Sequence, residues 1–105
     1  MAISYIVQTI RSQLMASDAQ KVWSWGAHAW AQIDDLTLQF KVQGHHFKGH
    51  VRIVYDEGDD LYIIQFGHWR NYQWKNIESI DGVYCDMMVD IIDQRVEYIP
   101  AYGRR

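Results

Sequence analysis

Five histidines, His28, His45, His46, His50 and His68, are the side chains best able to do more than pack. Neutral imidazole is the commonest protein ligand for zinc, copper and nickel. His45 and His50 flank one expected hairpin turn, where their rings could converge. Against this, no carboxylate or cysteine completes a known ligand spacing, and His45 and His46, as neighbours on a strand, would point to opposite faces. A zinc site needs three or four convergent ligands. Solvated turn histidines are the better account, and no metal is assigned.

Carboxylates form the second candidate. Asp86, Asp90, Asp93 and Glu97 fall at i, i+4, i+7 and i+11, which places all four on one face of a helix. Paired carboxylates serve acid–base chemistry or hold a divalent cation. A carboxylate row opposite an apolar stripe is also what a solvated helix face looks like, and that reading is preferred. Cys85 lies about one turn into the same expected helix, where the helix dipole favours a thiolate. Asp86 beside it opposes that shift, and Cys85 falls in the apolar stripe, so the expectation is a buried, inert thiol. The run Asp56-Glu57-Gly58-Asp59-Asp60 has a calcium loop's composition without the alternating spacing and distal Glu of an EF-hand, and reads as a turn. No catalytic residue and no cofactor is assigned.

A surface remains. Lys41 and Arg52 should point outward from neighbouring strands, Lys48 lies in the turn between them, and Arg70 and Lys75 accompany Trp69, Tyr72 and Trp74. From residue 36 to residue 55 there are three basic side chains and no acidic one. Aromatic rings interleaved with Lys and Arg on an exposed sheet can stack on and neutralise single-stranded nucleic acid. A helix or a second subunit could cover the same face, and coverage is preferred, because Leu61 to Phe66 is apolar on both sides. The polar neighbours Arg70, Asn71, Gln73 and Lys75 argue that at least one of Trp69, Tyr72 and Trp74 lies on the surface or in an intersubunit contact.

The elements that must position these residues follow from hydrophobic period. Leu36, Leu38, Phe40 and Val42 alternate with Thr37, Gln39, Lys41 and Gln43, a period of two that belongs to a strand with one buried face. Val51, Ile53 and Tyr55 resume the alternation after the turn residues Gly44 to Gly49, and Leu61 to Phe66 follows the acidic turn. Three strands joined by short Gly/Asp turns predict an antiparallel meander. The segment Gly67 to Ile80, with Trp69, Tyr72 and Trp74 among polar residues, predicts a turn and then a fourth meander strand ending near Ile80. Upstream, Ile3, Val7, Ile10 and Leu14 repeat at helical spacing, giving an amphipathic helix over residues 3 to 16 that breaks at Ser17-Asp18. Residues 20 to 33 permit a second helix or a further strand, and a strand over 27 to 33 is preferred. Asp81 is expected to cap a last helix whose stripe is Cys85, Met88, Val89, Ile92, Val96 and Ile99, ended by Pro100.

Composition bounds the function. A chain of 105 residues accommodates one domain, residues 1 to 105. Hydrophobic residues at 49%, charged residues at 22% and a single proline describe an ordered globular protein. Five Trp and seven Tyr exceed what so small a core readily hides, and rings left near the surface favour interfaces. A net charge of −3 repels a polyanion at long range and counts against duplex DNA binding. A single cysteine excludes an internal disulfide. With neither a secretory leader nor a membrane-length apolar window in view, a cytoplasmic protein is expected.

The runs SWG at Ser24 to Gly26, LQFKVQG with FKGHV between Leu38 and Val51, VYDEGDDLY at Val54 to Tyr62, and GVYCDMMVDIIDQRVEY at Gly82 to Tyr98 resemble a group of small uncharacterised bacterial proteins. These are carried on mobile elements and in accessory regions of gut-type genomes. The resemblance implies a stand-alone cytoplasmic protein and brings no catalytic signature or functional residue with it.

The expected fold is therefore α+β: an N-terminal helix, an antiparallel meander of four or five strands, and a C-terminal helix, both helices on one sheet face. The expected function is a non-enzymatic protein-interaction or regulatory module, acting as a homodimer or with another protein. The alternative is single-stranded nucleic-acid binding through the basic and aromatic sheet face.

Overall fold

A computed structural model of the chain describes residues 4–44 and 47–96. Its first element, α1 (Tyr5–Ser24), begins where Ser4 accepts the Val7 backbone N–H on its hydroxyl at 3.0 Å, an N-cap that satisfies one of the orphan donors of the first turn. The helix outlasts the expected one by two turns. At Asp18 the backbone leaves helical geometry, and the Asp18 carboxylate accepts the Lys21 N–H at 3.1 Å, capping the piece that continues to Ser24. The break in the apolar pattern at Ser17-Asp18 is thus a kink rather than an end.

Five strands follow, β1 (His28–Asp34), β2 (Thr37–Gln43), β3 (Lys48–Asp56), β4 (Leu61–Arg70) and β5 (Gln73–Val83). They pair antiparallel in sequence order, the meander that short connections favour. Residues 20 to 33 therefore hold both a helix end and a strand. A three-residue 3₁₀ turn, Cys85–Met87, leads into α2 (Met88–Val96).

One face of the sheet carries the core. Leu38, Phe40 and Val42 of β2, Val51 and Ile53 of β3, and Tyr62, Ile64 and Phe66 of β4 pack with Val7, Ile10, Leu14 and Val22 of α1 and Met88, Val89, Ile92 and Val96 of α2. Trp25, at the end of α1, is wholly buried, stacks parallel to Phe40 at 6.4 Å and donates its indole N–H to Asp93 of α2 at 3.0 Å. Lys21 meets Asp90 at 3.3 Å, so one part-buried and one exposed polar contact tie α2 to α1 and its cap.

The last helix differs from expectation at its start. Asp81 caps nothing; it belongs to β5, which continues to Val83 opposite Tyr62. Because α2 begins only at Met88, Cys85 falls in the 3₁₀ turn and is exposed, not buried in the stripe. Ile99, Pro100 and Glu97 lie outside the described residues, as do His45 and His46. No helix among the described residues is long and apolar enough to cross a membrane.

Candidate functional site

The second sheet face is built from the alternate residues of the same strands. Register puts Gln39, Arg52, Gln65 and Ser79 in one row across β2 to β5, and Lys41, His50, Gly67 and Asn76 in the next. Toward one end lie Thr37, Val54 and Ile63. Toward the other lie Gln43 and Lys48. Both described helices pack on the opposite face, so no described element covers this one.

Gln39 is the centre of the site. Only 8% exposed, its amide oxygen accepts two hydrogen bonds, from Arg52 Nε at 3.0 Å and from the Trp69 indole N–H at 2.8 Å. Trp69 and Trp74 face each other across the β4–β5 ladder with ring centres 5.9 Å apart and planes at 65°. The Arg52 guanidinium lies over both rings, 4.1 Å from the centre of Trp74 and 5.1 Å from that of Trp69. Such cation–π contacts strengthen as water is excluded. Gly67 makes room for the cluster: a Cβ there would stand 2.8 Å from Trp74 Cζ2 and 2.3 Å from the Lys75 carbonyl oxygen.

Beside the cluster, His50 packs edge-on to Trp74 at 6.5 Å. Its Nδ1 is buried and has no hydrogen-bond partner among the described residues. Burial first, then the positive charges of Lys41, His68, Arg52 and His28, hold its pKa below the ordinary histidine value. Burial also lowers Arg52, with Asp34 acting against that shift. A guanidinium so lowered remains a cation at neutral pH. The Lys41, Gln43, Lys48, His50 and Trp69 positions line a groove of about 330 Å³.

Of the expected surface residues, Lys41, Arg52, Trp69 and Trp74 come together on this face. Arg52 is held between the rings rather than projecting freely. Arg70 and Lys75, each next to one of the two tryptophans in its strand, point to the other side. Tyr72 sits at the tip of the β4–β5 turn, fully exposed at 101%, in the left-handed region with φ 63°. Trp69 belongs to β4, which runs to Arg70, so the turn expected directly after Phe66 comes only at Asn71-Tyr72. Lys48 opens β3 rather than lying in the turn.

Other candidates resolve into structure. Asp90 and Asp93 face Lys21 and Trp25, so these two carboxylates of the row serve the helix pair, while Asp86 falls in the exposed 3₁₀ turn. The acidic run is a turn in which Asp56 accepts the Gly58 N–H at 3.1 Å and Tyr55 donates its hydroxyl to Asp60. Among the described residues no three His, Cys, Asp or Glu side chains converge as metal ligands do.

Sequence reasoning passed over Gln39 and read His50 as a solvated turn histidine, whereas it lies within β3 with its Nδ1 buried. Both occupy polar positions of legible strands, yet their meeting with Trp69 and Trp74 depends on the β3–β4–β5 register, which local period does not give. No family model, curated protein or solved structure matches the chain.

Proposed function

We propose that the protein is a non-enzymatic interaction module that works through the uncovered face of its sheet, with a second copy of the chain as the first partner. The observation that carries this is the state of that face. Half-buried Val54 and Ile63 lie side by side at one end of the face and half-buried Trp74 toward the other, on three adjacent strands that no element of the described chain covers. An antiparallel sheet facing water normally presents polar residues there. Apolar side chains left on an uncovered face mark contact sites on small proteins, and tryptophan is the residue most enriched among energetic hot spots.

Static light scattering at micromolar protein tests the reading. The expected mass is that of two chains, falling to one on dilution. Ile63→Glu places a carboxylate in the apolar strip and should weaken association by about 2 kcal/mol or more, with the circular dichroism spectrum of the folded chain retained. A single-chain mass for the unaltered protein across that concentration range overturns self-association.

A further inference from the structure

The end of the face opposite Val54 and Ile63 has different chemistry. We propose that the groove formed by Lys41, Gln43, Lys48, His50 and Trp69 binds single-stranded nucleic acid, with Lys41 and Lys48 on phosphates and a base against Trp69. This goes beyond self-association, since the groove lies toward the Gln43–Lys48 end of the β2–β3 ladder and the apolar strip toward the Thr37–Val54 end.

Three observations carry it. The first is charge. Lys41 and Lys48 are exposed on adjacent strands, His50 stands opposite Lys41 in the same row, and Arg52 adds a fixed cation behind them. The charged groups acting on His50 are Lys41, His68, Arg52 and His28, all basic. Asp34, the acid that acts on Arg52, sits in the Thr37 row at the far end of β2. Cations gathered without a counter-charge repel one another, and a bound phosphate relieves that repulsion. The excess is local, since the overall charge of the chain is −3.

The second is the ring. Trp69 is 40% exposed, yet its orientation is fixed by the hydrogen bond to Gln39 and the Arg52 contact. A base stacks on such a ring without first having to order it, and stacking accepts any base. The third is size. The groove volume of about 330 Å³ lies at the small end of ligand sites, which run from about 300 to 1,000 Å³. That suits one nucleotide of a strand passing across the sheet. A duplex, whose bases are already stacked on one another, has none to offer the ring.

Fluorescence anisotropy of a labelled oligothymidylate of about ten nucleotides tests the proposal. Each phosphate contact to a single strand contributes a slope of about −0.7 in log affinity against log salt, so two lysine contacts predict about a sevenfold loss between about 50 and 200 mM salt. Lys41→Gln removes one contact and should reduce that loss to about 2.6-fold. Trp69→Leu should weaken binding roughly 5- to 150-fold, the loss of one stacked base, and leave the salt slope unchanged. Lys41 is exposed, so its variant keeps the test intact even where Trp69→Leu fails to fold.

Absence of binding at low salt by the folded protein overturns the proposal. Equal affinity for inorganic polyphosphate of matched charge also overturns it, because the ring would then contribute nothing. Neither result touches the self-association reading, which is judged by mass and by Ile63→Glu.

Discussion

Gln39 shows how much one side chain can fix. A buried amide needs partners, and this one accepts from a guanidinium and an indole on two different strands, so it sets the positions of Arg52 and Trp69 together. His50, one row away, has no such partner, and protonating it adds a charge beside Lys41, Arg52, His28 and His68. Its folded-state pKa lies below the ordinary value of about 6.5, so the unfolded chain binds the proton first as pH falls. Stability should decline as pH drops through that value and level off once the folded-state pKa is passed, below which both states carry the proton. Urea midpoints at about pH 7.5 and about pH 5.5 check this. The unaltered protein should lose more over the interval than His50→Asn, and equal losses would show that His50 is not the responsible group.

At the scale of the element, the β4–β5 hairpin does most to build the site. Its two-residue turn, Asn71-Tyr72, has positive φ at both positions, 50° and 63°. This twist matches the flanking strands and suits Asn or Gly, whereas a tyrosine there bears a steric cost of roughly 1–2 kcal/mol. Tyr72 is fully exposed, so packing does not offset that cost. Tyr72→Gly should stabilise the fold by up to about 1 kcal/mol, the relief being partly cancelled by glycine's greater backbone entropy in the unfolded chain. Thermal unfolding measures it. A fall in the melting temperature would mean that the ring packs against something.

The same hairpin shows where sequence legibility ends. The alternation from Leu36 to Val42 was enough to identify β2 and its buried face, and the lysine and arginine positions on the other face came with it. Asp81-Gly82, by contrast, has the local chemistry of a cap or a turn, yet it is a bulge within β5. Three residue steps from Ile80 to Val83 oppose two from Ile64 to Tyr62, and Gly82 takes φ +65° to allow it. Long-range pairing with the ten residues of β4 overrides the local signal, and with it shift the start of α2 and the exposure of Cys85. The site was half legible for a related reason: residue type announced Trp69 and Trp74, but only register brings Gln39 and His50 to them.

For the whole molecule the question is which surface of the sheet is free to associate. A meander has two edge strands, and unpaired edges invite pairing with another chain. Here both edges are irregular. β1 has register shifts between His28 and Ala31 and between Gln32 and Asp34, with Ala29 at φ 55°. β5 is interrupted at Phe66/Gly67 and at Tyr62/Ile64 and carries Lys75, Glu78 and Asp81. Bulges and charges of this kind blunt an edge, which favours the uncovered face as the route to the proposed second copy. Face-to-face packing buries side chains and forms no new backbone ladder. Hydrogen exchange at dilute and at concentrated protein should therefore leave the unpaired edge amides of β1 and β5 unchanged, while the Val54 and Ile63 side-chain methyls report the contact by chemical-shift change. New protection along either edge at high concentration would show strand addition instead, and would move the interface away from Val54 and Ile63.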